Sequence, residues 1–141
     1  MQRGTTAVST IERAYADDLA AFITVSPSSY HAATEIAKRL DEAGFARHDL
    51  AEPWDASPGG HYLVSGGAVM AWRVPAGAGP QNVFAIVGSH TDSPGFRVKP
   101  SPGSRSHGFG QVDVEPYGGL LPNSWLNREL GLAGRIVTIT G

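Results

Sequence analysis

The sequence predicts an α/β protein in which two helices precede a mixed sheet. Apolar residues recur at helical spacing between residues 11 and 43, and after Gly44 the chain breaks into short segments divided by Gly and Pro. One run, Val83-Phe84-Ala85-Ile86-Val87-Gly88-Ser89, is apolar with no alternation. A period near 3.6 marks amphipathic helices, short runs between turn residues mark strands, and an unalternating run marks a strand covered on both faces.

Residues 1–9 are mostly polar and small, so a disordered N-terminus is expected there. Ile11, Tyr15, Leu19, Phe22 and Ile23 predict a first helix over 11–24. Ser26-Pro27-Ser28-Ser29 ends it, because Pro lacks an N–H and serines favour turns and helix caps. A second helix is expected over 30–43, with Ala33, Ile36, Ala37 and Leu40 on one face and Gly44 at the C-terminal cap. His61-Tyr62-Leu63-Val64 and Ala68 to Val74, separated by Gly66-Gly67, read as a β-hairpin. Pro75 to Pro80 reads as a loop.

The run 83–89 is too short for a buried helix and is expected to be a central strand. Phe96 to Lys99 alternate, Ser101 to Gly110 read as a Gly/Ser/Pro-rich connection, and a further strand is expected at about 111–115. A last alternation runs from Arg135 to Thr140. With no element after it, the expectation is a polypeptide that stops inside a structural unit.

With 141 residues, 41% of them hydrophobic and 17% charged, the chain has the make-up of one ordinary domain or part of a larger one. A net charge of −2 speaks against nucleic acid or an anionic membrane as partner. There is no cysteine, so a metal would have to be held by His, Asp and Glu. The first ten residues lack the apolar core of a signal peptide, and no stretch approaches the roughly 20 apolar residues of a membrane span. The expected location is cytoplasmic.

His90-Thr91-Asp92 follows the apolar run directly. Ligands of open α/β sheets bind where strands run out into loops. If the extended conformation continues, residues two apart share a side, which puts His90 and Asp92 together. A metal-bound histidine gives its second ring N–H to a carboxylate or carbonyl, which fixes the tautomer. Two residues do not make a site, since zinc needs about three or four protein ligands, and an ordinary hydrogen-bonded loop histidine fits the same pattern.

Other residues carry weaker signals. His31 starts the second helix, where histidines often cap or pack. His48, between Arg47 and Asp49, reads as solvated surface, His61 as an ordinary strand-start residue, and His107 as part of a glycine-rich segment without a carboxylate partner. Asp113 and Glu115 share a strand face and read as a solvated one. Ser89 lacks the Gly-x-Ser-x-Gly frame of a nucleophile elbow. Gly108-Phe109-Gly110 lacks the third glycine of a dinucleotide fingerprint. Trp54, Trp72 and Trp125 are expected to pack a core or an interface.

Four blocks then occur in order: Ser26-Pro27-Ser28-Ser29-Tyr30-His31; Gly88-Ser89-His90-Thr91-Asp92-Ser93-Pro94 with Arg97-Val98-Lys99-Pro100; Val114-Glu115-Pro116-Tyr117-Gly118-Gly119; and Leu130-Gly131-Leu132-Ala133-Gly134-Arg135. Together they resemble the N-terminal part of the aspartyl aminopeptidase family of metallopeptidases. The resemblance implies a zinc-peptidase-like α/β catalytic domain and a two-metal exopeptidase, using zinc or another divalent metal, that removes N-terminal, often acidic, residues from a peptide substrate. It also implies His90 as a metal ligand and Asp92 as the catalytic-site carboxylate that orients it.

By the same resemblance, residues 10–104 are the first part of the catalytic domain, and 105–141 begin an inserted β-rich domain that supports a homo-oligomer. The family's other ligands and its general-base glutamate lie later in its sequence, so the chain alone is expected to be inactive. Where the family commonly has Trp-x-Asp-Arg-Asp-Leu, this chain reads Trp125-Leu126-Asn127-Arg128-Glu129-Leu130, which puts in doubt any charge pairing made there. An alternative from another class is a non-catalytic assembly module, whose unfinished strand edge adds to another sheet. A third reading is a related metallohydrolase acting on amides other than peptides.

Overall fold

The computed structural model describes residues 10–139. The expected loose end at 1–9, and Thr140 of the last alternation, lie outside them. The described residues form two compact units, one running to Thr91 and taking in the segment from Ala133, the other comprising Asp92–Leu132.

In the first unit, helix α1 spans Thr10–Val25 and α2 spans Ser29–Glu42, each within one residue of its expected bounds. The C-terminus of α2 closes as Gly44 predicts. Gly44 takes a left-handed φ of 76°, its N–H donates to the Asp41 carbonyl at 2.9 Å, and the Phe45 N–H donates to the Leu40 carbonyl at 3.0 Å. This double bond is the Schellman arrangement, which satisfies carbonyls that the helix leaves open.

Strands β1 (Ala46–Arg47), β2 (Gly59–Ser65) and β3 (Ala68–Val74) make a mixed sheet in that order. β1 runs parallel to β2, and β2 pairs antiparallel with β3 around the expected Gly66-Gly67 turn. Helix α2 lies on this sheet, burying Ala32, Ala33 and Ala37 along with Tyr62 and Leu63 of β2. Tyr62 is fully buried and donates its hydroxyl to Asp41 Oδ1 at 2.7 Å. Phe45 crosses β2 at Gly60, where any Cβ would come within 2.7 Å of the Phe45 ring.

Helix α1 is held differently. Its stripe of Ile11, Tyr15, Leu19 and Ile23 is more than half exposed, and Arg39 of α2 reaches back to it. Arg39 bonds Asp18 Oδ2 at 2.9 Å and Glu35 Oε1 at 2.8 Å, with its guanidinium 5.3 Å over the Phe22 ring. No described helix is long and apolar enough to cross a membrane.

The expected central strand at 83–89 is not formed. The segment lies outside any strand or helix, and Val83, Phe84, Ile86 and Val87 are 87–99% exposed. Hydropathy fixes the preference for burial, whereas a strand also needs neighbours for its backbone groups. The same holds for the last alternation, since Ile136, Val137 and Ile139 are exposed and outside any strand.

In the second unit, β4 (Gly95–Ser106) and β5 (Phe109–Tyr117) form an antiparallel ribbon. The stretch expected as a connection, Ser101 to Gly110, is the upper half of that ribbon. The register shifts between Val98 and Gly103, which accommodates Pro100 and Pro102. In a two-stranded ribbon both strands are edges, so a residue without an N–H can turn its backbone to solvent. A 3-10 turn at Pro122–Ser124 follows, and Trp125 packs edge-on against Phe96 at 5.6 Å. The expected division at residue 104 falls within β4.

Candidate functional site

Each residue of His90-Thr91-Asp92 has a distinct setting. His90 is exposed and follows directly on the apolar run. Thr91, next to it, donates its hydroxyl to the carbonyl of Gly67 in the β2–β3 turn at 2.5 Å. Gly67 itself is pressed against α2, since a Cβ there would sit 2.5 Å from Ser29 Oγ and 2.8 Å from Ser29 Cβ. The apolar run therefore reaches His90 through an anchor on the first unit's hairpin.

Asp92 is half-buried in the second unit, where Tyr117 at the end of β5 donates its hydroxyl to Asp92 Oδ2 at 2.5 Å. The Arg97 guanidinium lies 3.6 Å from the centroid of the Tyr117 ring. The hydrogen bond to Asp92, and then its negative charge, push the Tyr117 phenol above its ordinary pKa, and Arg97 opposes this. Two blocks quoted from the sequence, one containing Asp92 and the other Tyr117, thus meet through side chains 25 positions apart.

The remaining histidines divide. His31 is exposed, with Nδ1 2.8 Å from Oγ of Ser28, the residue before α2, and this side-chain pair caps no backbone group of the helix. His107 is exposed at the β4–β5 turn with a left-handed φ of 51°, its Nδ1 2.8 Å from Ser106 Oγ. Asp113 is half-buried and accepts a bond from Ser104 Oγ at 3.0 Å, so the acidic face of β5 is only partly solvated.

His48 and His61 depart from expectation. His61 is 2% exposed rather than an ordinary strand-start residue, and His48 is half-buried rather than solvated. Their facing nitrogens, His48 Nε2 and His61 Nδ1, are 2.9 Å apart, and His61 Nε2 lies 2.8 Å from the Ser57 carbonyl. A carbonyl only accepts, so His61 Nε2 carries the proton. Trp72 stacks on both imidazoles, at 5.3 and 5.5 Å, and Trp54 stacks on Trp72 at 5.5 Å. Two hydrogen bonds from Ser57, with the nearby imidazoles adding to them, hold the Asp55 carboxyl below its ordinary pKa. Alternating hydropathy does not reveal such a cluster, because its members come from a loop and two strands.

Among the described residues, no three His, Asp or Glu side chains cluster closely enough to hold a metal ion. The departure at 125–130 acquires a local reason. Asn127 has a φ of 54°, a left-handed conformation that Asn and Asp tolerate better than other side chains. The exchange of acid for amide keeps a residue suited to that backbone. Arg128 reaches the Ser124 carbonyl at 3.4 Å.

Comparison with known proteins agrees with this layout. The model of the aminopeptidase I zinc metalloprotease (M18) family matches residues 22–140. The chain is 55% identical over 125 residues to "Probable M18 family aminopeptidase 2" of Streptomyces avermitilis, covering 89% of this chain and 29% of the relative. It is 52% identical over 130 residues to the protein of the same name in Streptomyces coelicolor, covering 92% and 30%, and 43% identical over 123 residues to that of Mycobacterium leprae, covering 87% and 29%. A chain in the cryo-EM structure of the Ape4 and Nbr1 complex superposes with a TM-score of 0.77 at 29% identity, over 87% of this chain and 25% of that one. The chain thus spans under a third of the length of these relatives. It belongs to the aminopeptidase I zinc metalloprotease (M18) family, matching an N-terminal part of its members.

Proposed function

We propose that this chain forms the first part of the catalytic domain of a metal-dependent aminopeptidase, and that it contributes one metal ligand, His90, together with the carboxylate that orients it, Asp92. The observation that carries the reading is the family match over residues 22–140, which spans His90-Thr91-Asp92 and Tyr117 alike. An exposed imidazole suits a zinc ligand, and a carboxylate two residues on suits the acceptor of its second N–H. His90 is one ligand of a set of three or four, so the others come from outside the described residues.

Bound there, a pair of zinc ions would supply activation of water and polarisation of the scissile carbonyl. The work of this chain's own residues is to hold. Thr91 fixes the backbone beside His90 on the β2–β3 turn, and Asp92 sets which imidazole nitrogen faces outward. The substrate is a peptide with a free N-terminus, and acidic N-terminal residues are the preferred ones. Assembly into a homo-oligomer is supported by the apolar pair Val98 and Val114, which face each other across the ribbon and are 41% and 38% exposed, with Val112 beside them.

The test is peptide hydrolysis by two proteins. The chain by itself releases no N-terminal Asp, Glu or Leu from peptides. A chimera in which it replaces the matching part of the Streptomyces avermitilis relative releases Asp and Glu in a chelator-sensitive manner. Chelator-sensitive hydrolysis by the chain alone, or an inert but folded chimera, overturns the reading.

A further inference from the structure

We infer that His48 and His61 form an acid-sensitive latch, which holds the loop of residues 49–58 on the β1–β2–β3 sheet and releases it when both imidazoles become charged. The latch lies wholly within the first unit. His61 Nε2 faces the Ser57 carbonyl at 2.8 Å, and His61 Nδ1 faces His48 Nε2 at 2.9 Å. One proton sits on His61 Nε2, one fits between the facing nitrogens, and a third can join His48 Nδ1 without breaking either bond. Whichever ring then carries the charge, a fourth proton would set N–H against N–H between two cations, on a ring that is 2% exposed. Two free imidazoles take up all four. Opening the latch therefore binds one proton more than closing it, so the closed form loses ground as pH falls.

The loop is fastened to the sheet through this cluster. β1 contributes only the pairs Ala46 with His61 and Arg47 with Tyr62, followed by the His48 N–H donating to the Tyr62 carbonyl at 2.8 Å. Further along, the Ser57 carbonyl rests on His61 and the Trp54 ring on Trp72. Within the loop, Asp49 Oδ1 accepts from the Ala51 N–H at 2.8 Å and Asp55 Oδ1 from the Ser57 N–H at 2.9 Å, so it keeps local shape of its own. The charged groups of the loop are Asp49, Glu52 and Asp55, and Arg73 follows Trp72 on β3. Arg47 and Asp41 of α2 interact with Tyr62, the neighbour of His61 on the other face of β2. Asp55, held ionised by Ser57, favours the first charge on the pair. It does not remove the conflict over the fourth proton.

Hydrogen exchange in the full chain tests the latch, read as protection relative to free-peptide rates at the backbone amide of residue 48 and the Trp54 indole. As pH falls from about 6.5, the ordinary histidine value, toward 5, protection at both is expected to drop by up to about tenfold per pH unit, while the amides of α2 keep theirs. His48→Gln is expected to hold the loop with level protection over the same range, because an amide can turn its carbonyl toward a charged His61. Level protection in the native chain, or an equal decline in His48→Gln, overturns the proposal. Long-range proton–nitrogen NMR of the native imidazoles gives a second reading that needs no variant. Two charged rings in a chain whose residue-48 amide is still protected also overturn it, whereas a single charge in the closed form supports it.

Discussion

Thr91 donates its hydroxyl to the carbonyl of Gly67 at 2.5 Å, tying the residue after His90 to the turn that joins β2 and β3. Removing the donor tests how much that tie contributes. Thr91→Val keeps the shape of the side chain and is expected to lower stability by about 1 kcal/mol, the net worth of a typical hydrogen bond. Urea unfolding followed by far-UV circular dichroism measures it, and an unchanged midpoint contradicts the anchor.

The same turn gives a second expectation. A methyl group on Gly67 would collide with Ser29, so Gly67→Ala must push the turn away from the start of α2. Overpacking of this kind costs roughly 1–3 kcal/mol. Gly79→Ala is the control, because nothing lies within 4 Å of a Cβ there. A Gly67→Ala protein as stable as the Gly79→Ala protein contradicts the close approach.

Burial first, and the bond to Asp41 second, hold the Tyr62 phenol above its ordinary pKa. The unfolded chain therefore gives up this proton at lower pH than the folded one. Its stabilisation is complete below about pH 10, the ordinary tyrosine value, and is lost as pH rises through the higher folded value. Tyr62→Phe is expected to flatten that alkaline decline and to lower stability at neutral pH by about 0.5–1.5 kcal/mol for one lost hydrogen bond. Unfolding midpoints at neutral and alkaline pH decide it, and equal alkaline slopes in the two proteins contradict the account.

His48 and His61 share a hydrogen bond that a glutamine amide can also make. His48→Gln is expected to keep most of the stability, whereas His48→Leu leaves His61 Nδ1 without its partner and lowers stability by about 1–3 kcal/mol, read from urea unfolding midpoints. Equal losses in the two variants contradict the bond.

Much of the first unit was legible in the sequence, because α1, α2 and the β2–β3 hairpin are set by local periodicity and by glycines at fixed places. The run 83–89 was misread for a physical reason. Its composition states what would bury it, not whether the strands that do so lie among the described residues. Ser101 to Ser106 was misread in the opposite sense, since Pro and Gly mark a loop in a closed sheet but are tolerated in a ribbon with two open edges. At the site, His90 and Asp92 stand out as chemistry-bearing types at a telling spacing. Gly67 and Tyr117 do not, because their partners Thr91 and Asp92 lie 24 and 25 positions away and no local pattern encodes those pairings.

The central claim is that His90 is a metal ligand supported by Asp92. Metal content of the Streptomyces avermitilis chimera, measured by elemental analysis after dialysis, tests it most directly. The account predicts that the native chimera retains bound zinc, that His90→Ala loses at least one equivalent while staying folded, and that Asp92→Asn weakens metal affinity about 10–100-fold. A folded His90→Ala chimera that keeps its full metal complement and activity would contradict it.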